Sequence, residues 1–135
     1  MHRYIVIFFL TLSILFGVDL VKWKNQIKLL SDDEKSVIIY KATEPPHTGI
    51  YSNTFEPGVY RCKLCNTPLF MSENKFKSSC GWPSFDEAIK GAVISVKDKD
   101  GYRTEILCSH CGAHLGHIFI GEHLTTLAVQ NITEM

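Results

Sequence analysis

A chain of 135 residues with 14 basic and 14 acidic side chains has no net charge; it is long enough for one modest core and lacks the positive balance of a broad nucleic-acid interface. Of its five cysteines, four form two CxxC doublets and one is left over. That pattern argues for a metal site over a disulfide framework.

The charge is uneven along the chain. Residues 1–30 carry Arg3, Lys22, Lys24 and Lys28 against Asp19 alone. Ile5 to Val18 is apolar apart from Thr11, Ser13 and Gly17, the length of a signal-peptide hydrophobic region and short for a bilayer span. Extending the run to Val21 would bury Asp19. No A-x-A-like cleavage site follows it, and no cysteine that could carry a lipid. Residues 1–21 are expected to be a signal peptide or an N-terminal membrane anchor, with the protein exported (periplasmic or extracellular) or attached to a membrane through residues 5–21.

Residues 22–42 read as a linker and a short helix. Ser31-Asp-Asp-Glu34 is a capping box with acids in the first turn, and Val37, Ile38 and Tyr40 supply an apolar face. Thr43-Glu-Pro-Pro-His-Thr-Gly49 stops the helix, because the double proline forces extended backbone. From Tyr51 onward the signals are β and turn. Gly58–Arg61 leads as a strand into the first doublet, and Pro68–Phe70 leads out of it. Ala92–Val96 and Tyr102–Leu107 form a predicted hairpin around Asp100-Gly101. His117–Ile120 and the run Leu124–Ile132 read as later strands. The fold class implied is mainly β, mostly antiparallel, with a short helix at its entry and a pair of metal knuckles.

Three groups of residues carry chemistry. Cys62-Lys-Leu-Cys65 and Cys108-Ser-His-Cys111 can close a tetrahedron of thiolates around one structural Zn²⁺, with 42 residues between Cys65 and Cys108. A redox CxxC needs a thiol at a helix N-terminus, and neither doublet shows that context. His110, inside the second doublet, is a solvated knuckle residue on this reading. Next comes Ser79-Cys80-Gly-Trp82-Pro-Ser-Phe85, where Trp82 must sit on a turn and either lines a pocket or serves as an awkwardly placed core residue. Cys80 beside it is either a redox thiol or an inert buried one. Last is Gly112-Ala-His114-Leu-Gly-His117, read as a turn after the knuckle. Its two imidazoles can bind a polar oxygen, donate a proton or ligate metal, or be surface histidines.

Thr43–Gly49, Gly58–Cys62, Cys65 with Pro68–Phe70, Lys75-Phe76, Cys80–Phe85, Arg103–Ile106 and Cys108–Phe119 together resemble the peptide-methionine (R)-S-oxide reductases, the B-type methionine sulfoxide reductases, from about Trp23 to about Thr125. The resemblance implies two small antiparallel sheets with the zinc away from the active site. It implies Cys62, Cys65, Cys108 and Cys111 as zinc ligands, Trp82 as the indole on the substrate methyl group, His114 and His117 around the sulfoxide oxygen, and Cys80 as the resolving thiol. The implied substrate is oxidised methionine in proteins or peptides, and the implied electron source is a thioredoxin-like reductant. The reductase-like domain would be residues 43–135, monomeric and altered after about 125. There the family carries its nucleophilic cysteine, in a strand of the kind Arg-aromatic-Cys-hydrophobic-Asn-Ser. This chain has Thr125-Thr-Leu-Ala-Val-Gln-Asn-Ile-Thr-Glu-Met135, with no cysteine after Cys111, and the family's final strand is expected to be missing or replaced. The alternative is a non-catalytic zinc-binding domain of the same family, truncated or frameshifted. A zinc-ribbon module for nucleic acid is disfavoured by the zero net charge.

Overall fold

A computed structural model describes residues 17–120, 125–129 and 132–134. Residues 1–16, most of the segment expected to direct export or anchor the chain, lie outside the described residues. Among those described, no helix is long and apolar enough to cross a membrane.

The described residues begin with two short helices, α1 (Lys24–Ile27) and α2 (Asp32–Ile38). The capping box is present: the Ser31 hydroxyl accepts from the Glu34 amide at 3.1 Å, and the Glu34 carboxylate accepts from the Ser31 amide at 3.0 Å. The stretch read as a linker is more than that. Trp23 and Ile27 pack on the core, Leu30 is buried in it, and the Trp23 indole meets the His110 ring edge-on at 5.5 Å.

Nine strands follow among the described residues: β1 (Val59–Cys62), β2 (Pro68–Met71), β3 (Lys75–Phe76), β4 (Ser84–Phe85), β5 (Val93–Lys97), β6 (Thr104–Cys108), β7 (His114–Ile120), β8 (Thr125–Val129) and β9 (Ile132–Glu134). They make two antiparallel sheets, one in the order β2-β1-β9 and one in the order β3-β4-β8-β7-β6-β5. Strands β5 and β6 are the predicted hairpin. Its turn spans Asp98 to Arg103, with the left-handed backbone it needs supplied by Gly101 at φ 77°.

The core lies where the two sheets face each other. Phe70 of β2 stacks on Phe85 of β4 at 4.3 Å, and Tyr60 of β1 meets Phe85 edge-on at 5.1 Å. Such pairs add about 0.5–1.5 kcal/mol each beyond the apolar area they bury. Lys75 is nearly buried against this seam. Its ammonium donates to the carbonyls of Tyr51 and Thr54 and to the Tyr60 hydroxyl, and lies over the Phe55 ring. That ties the loop after the double proline to the core.

Candidate functional site

The two cysteine doublets converge. Cys62 ends β1 and Cys108 ends β6, one in each sheet, so the cluster joins the sheets. The two knuckles are built alike. In the first, Asn66 N–H donates to Cys62 O at 2.8 Å and Cys62 N–H to Thr67 O at 2.9 Å. In the second, Gly112 donates to Cys108 O and Cys108 to Ala113 O, both at 2.9 Å. The residue after each doublet has left-handed backbone, Asn66 at φ 65° and Gly112 at φ 78°. Asparagine and glycine tolerate that region best. Gly112 has a second reason to be glycine, since a Cβ there would collide with the Gly17 carbonyl that crosses the knuckle.

All four Sγ atoms lie within 4.8 Å of one another, with Cys62–Cys111 and Cys65–Cys108 at 3.6 Å. A tetrahedron with metal–sulfur bonds of about 2.3 Å has sulfur–sulfur edges of about 3.8 Å, so the donors fit a four-coordinate soft or borderline cation. The thiols also need one. Neighbouring sulfurs, Cys108 first, push Cys62 and Cys111 above the ordinary thiol range while drawing Cys65 down, and Cys108 itself falls to about 7. Four thiolates cannot share so small a space without a compensating charge.

A second polar centre sits on β7. The strand expected over His117–Ile120 begins earlier, at His114, so the expected turn after the knuckle is strand as well. In a regular strand, residues three apart face opposite sides. Here Ile106 pairs with Gly116 and Leu107 with His114, leaving Leu115 as the extra residue of a bulge. The bulge returns both imidazoles to one face, with ring centroids 5.5 Å apart. Both line a cavity of about 560 Å³ with Tyr40, Lys41, Asp98 and Glu105.

Each ring is held by a carboxylate, through opposite nitrogens. His114 Nδ1 is 2.7 Å from Glu105 Oε2, and His117 Nε2 is 2.7 Å from Asp98 Oδ2. Ionised carboxylates only accept, so the bonded nitrogen carries the hydrogen in each ring. Glu105 is buried and also accepts from Lys41 Nζ at 2.9 Å. Asp98, at the rim, is 3.8 Å from the Arg103 guanidinium, which is paired with Asp100 at 2.7 Å. The His117 hydrogen bond holds the Asp98 carboxyl below its usual range. Burial pushes the His114 imidazole below its usual value, and the pull of Glu105 only partly offsets this. The ring is neutral near pH 7, and its Nε2 is buried with no hydrogen-bond partner among the described residues. A buried orphan of this kind invites a ligand or a water.

Cys80 and Trp82 lie on the turn before β4, as the sequence required. The Trp82 indole N–H donates to the Glu44 carbonyl at 3.0 Å, and His47 N–H donates to Gly81 O at 2.8 Å. Glu44 thus ties Trp82 to the segment whose Tyr40, Lys41 and Thr43 line the histidine cavity. Cys80 Sγ lies 3.2 Å from Ser84 Oγ. Burial alone would raise this thiol, but hydrogen bonds with Ser78 and Ser84 and with the backbone bring it below the ordinary value. No hydrogen bond or ring contact among the described residues joins Cys80 or Trp82 directly to either histidine.

Between the two groups runs β8. Ala128 is the register partner of Ser84 on one side and of His117 on the other, and Val129 pairs with Gly116. The stretch to which the resemblance assigns the family nucleophile, Val129 to Ile132, begins on this strand; Gln130 and Asn131 lie outside the described residues. Where the final strand was expected to be missing or replaced, a strand runs, and its Thr-Thr-Leu-Ala-Val sequence has no thiol.

Lys41, Asp98 and Glu105 were not singled out from sequence as site residues. One signal was available for Glu105, a lone acid on a strand that continues Ile106-Leu107 and so cannot be solvated on both sides. Nothing local marked Lys41 or Asp98.

The family profile described as the SelR domain matches residues 30–130. The chain is 47% identical over 98 residues to "Peptide methionine sulfoxide reductase B5" of Oryza sativa subsp. japonica, covering 73% of this chain and 72% of that protein. It is 45% identical over 100 residues to "Peptide methionine sulfoxide reductase MsrB" of Agrobacterium fabrum, with 72% of each covered. "Peptide methionine sulfoxide reductase B3, chloroplastic" of Oryza sativa subsp. japonica is 48% identical over 98 residues, but the match spans only 43% of its length. Against such longer relatives this chain covers less than half. With the profile matching across both knuckles, the Cys80–Trp82 turn and the paired histidines, the chain belongs to the SelR-domain family of B-type peptide methionine sulfoxide reductases.

Proposed function

We propose that this domain recognises methionine-R-sulfoxide in peptides at the His114–His117 cavity and reduces it by thiol chemistry, with one structural Zn²⁺ held by Cys62, Cys65, Cys108 and Cys111. The observation that carries the reading is the pair of imidazoles brought to one face of β7 by the Leu115 bulge, one with a buried, unpartnered Nε2. His114 can meet a sulfoxide oxygen through a bridging water when neutral, or donate to it directly from Nε2 once protonated. Trp82 is the apolar wall for the methyl group. Outside the cysteine cluster the one remaining thiol is Cys80. Its thiolate attacks the sulfoxide sulfur, and the oxygen takes up a proton. Methionine leaves, and Cys80 becomes a sulfenic acid. A dithiol reductant of thioredoxin type then restores the thiol, giving water and its own disulfide.

A second reading, a non-catalytic sulfoxide-binding domain, is favoured by β8. That strand lies between the Cys80 turn and the histidines, putting them about two strand spacings apart, roughly 10 Å. The two readings part in one assay. Reduction of a methionine-R-sulfoxide peptide by dithiothreitol, lost in Cys80→Ser, supports the first. Binding without turnover supports the second. Turnover unchanged in Cys80→Ser would sink the Cys80 route. Ala128→Cys and Val129→Cys place a thiol on β8; a gain in turnover of at least tenfold in either would show that the cavity still orients substrate. Export is supported by the apolar run Ile5–Val18, and a fractionation of expressing cells tests it.

A further inference from the structure

Lys41 stands at the end of α2 with left-handed backbone, φ 61°. Bonds from Lys41 N–H to Val37 O at 3.1 Å and from Ala42 N–H to Ser36 O at 2.9 Å close the helix there. Glycine or asparagine usually occupies such a position. Here a lysine does, and the conformation sends its side chain to Glu105, 64 residues away in sequence. Glu105 then has one oxygen on the Lys41 ammonium at 2.9 Å and the other on His114 Nδ1 at 2.7 Å. The three groups form a chain from the helix end to the unpartnered Nε2 in the cavity.

We propose that Lys41 is a positioning residue that sets, through Glu105, which His114 nitrogen carries a hydrogen and how readily the ring gives up a second proton to a ligand oxygen. With Lys41 in place, the Glu105 charge is already balanced. A proton on His114 then adds net charge to a buried site and is easily released. Without Lys41, the lone carboxylate would hold the imidazolium and make it a poor donor. Among the described residues the charged and titratable groups around the ring are Glu105 from β6, Lys41 and Tyr40 from the end of α2, His117 from β7, and Asp98 and Arg103 from the β5–β6 hairpin, with Lys97 and Lys99 on the same cavity wall. Burial holds His114 down, Glu105 raises it, and His117 and Lys41 lower it further. The ligand in this inference rests on the proposed function; the protonation does not.

Long-range proton–nitrogen spectra of the metal-loaded protein, followed from pH 4.5 to 8.5, test it without any need for turnover. The wild-type ring is expected as the Nδ1–H tautomer at pH 7. Lys41→Gln should raise the His114 midpoint by about one pH unit, and Lys41→Arg should leave it within about 0.3. If Lys41→Gln does not fold, Glu105→Gln reads the same chain and should lower the midpoint. A folded Lys41→Gln protein with an unmoved His114 midpoint would overturn the inference, as would an arginine variant that shifts as far as the glutamine one or a rise in Glu105→Gln. A sulfoxide peptide that perturbs neither ring would remove the proposed function and leave the titration result standing.

Discussion

The cysteine cluster and the histidine cavity solve the same problem in opposite ways. Both gather ionisable groups in little water. At the cluster, four thiols from two repeated knuckles stand within 4.8 Å of one another, a donor set that one four-coordinate cation would neutralise and leave with no open position. At the cavity, Lys41 is matched to Glu105 and His117 to Asp98, each from a different element, and His114 Nε2 is left without a partner among the described residues. A site whose polar groups are all satisfied holds a fold together. A site with one left over is ready for something else. The comparison teaches where each failure should appear, in folding at the first and in protonation and binding at the second.

The largest effect should come from the cluster. Stripping the proposed metal with a strong chelator, or Cys62→Ser, should remove a contribution on the order of 10 kcal/mol from the cluster that brings the ends of β1 and β6 together. The expected result is loss of cooperative thermal unfolding by circular dichroism. A chelated protein that still melts cooperatively near the wild-type temperature would break the contrast. Next is Glu105→Ala, which leaves His114 Nδ1 buried and unpaired and Lys41 without this partner. It should cost about 1–3 kcal/mol in urea unfolding, short of the cluster's effect, because Lys41 can turn to solvent.

The pH response is smaller and has a definite sign. His114 takes its proton less readily when folded than at the ordinary value of 6.5. As pH falls through 6.5 the unfolded chain binds the proton first. Stability therefore drops below that pH, and the loss levels off once the folded ring is also protonated. Asp98, whose carboxyl is held below 3.8, contributes stability that is lost only at more acid pH. The difference in unfolding free energy between wild type and His114→Gln, measured from pH 7.5 to 4.5, isolates the histidine because acid release of the metal is common to both. A difference that does not change with pH would contradict the assignment. The smallest effect belongs to Asp98→Asn. On the partly exposed rim it should change stability by no more than about 1 kcal/mol. His117 should nonetheless lose its tautomer preference in the same spectra.

The sequence was most legible where spacing is local. The CxxC doublets, the Ser31–Glu34 box and the strands flanking each knuckle are short-range patterns, and each stands where it was read. The hairpin around Asp100-Gly101 was legible for the same reason, although its turn is longer than a two-residue loop because Asp98 binds back to Arg103. Legibility failed for the bulge between His114 and His117, although the strand from His117 onward was expected. Their glycines suggested a turn, whereas Gly116 pairs within the sheet and the unpaired residue is Leu115. For Trp23–Leu30, where a linker or a short helix was expected, the short helix is present; the packing of Trp23, Ile27 and Leu30 was not legible, because their partner is a core assembled from distant strands.

Local pattern alone carried the paired cysteine doublets, the turn that holds Cys80 and Trp82, the family resemblance, and the lack of a cysteine among the residues after Cys111. Those depend on which residues are present and how closely they follow one another. Tertiary structure alone decided that His114 and His117 share a face, that Lys41 reaches Glu105, and that β8 runs between the thiol and the imidazoles. A strand bulge and an ion pair across 64 residues are set by how sheets register and helices end. Neither leaves a mark in the spacing of neighbouring residues.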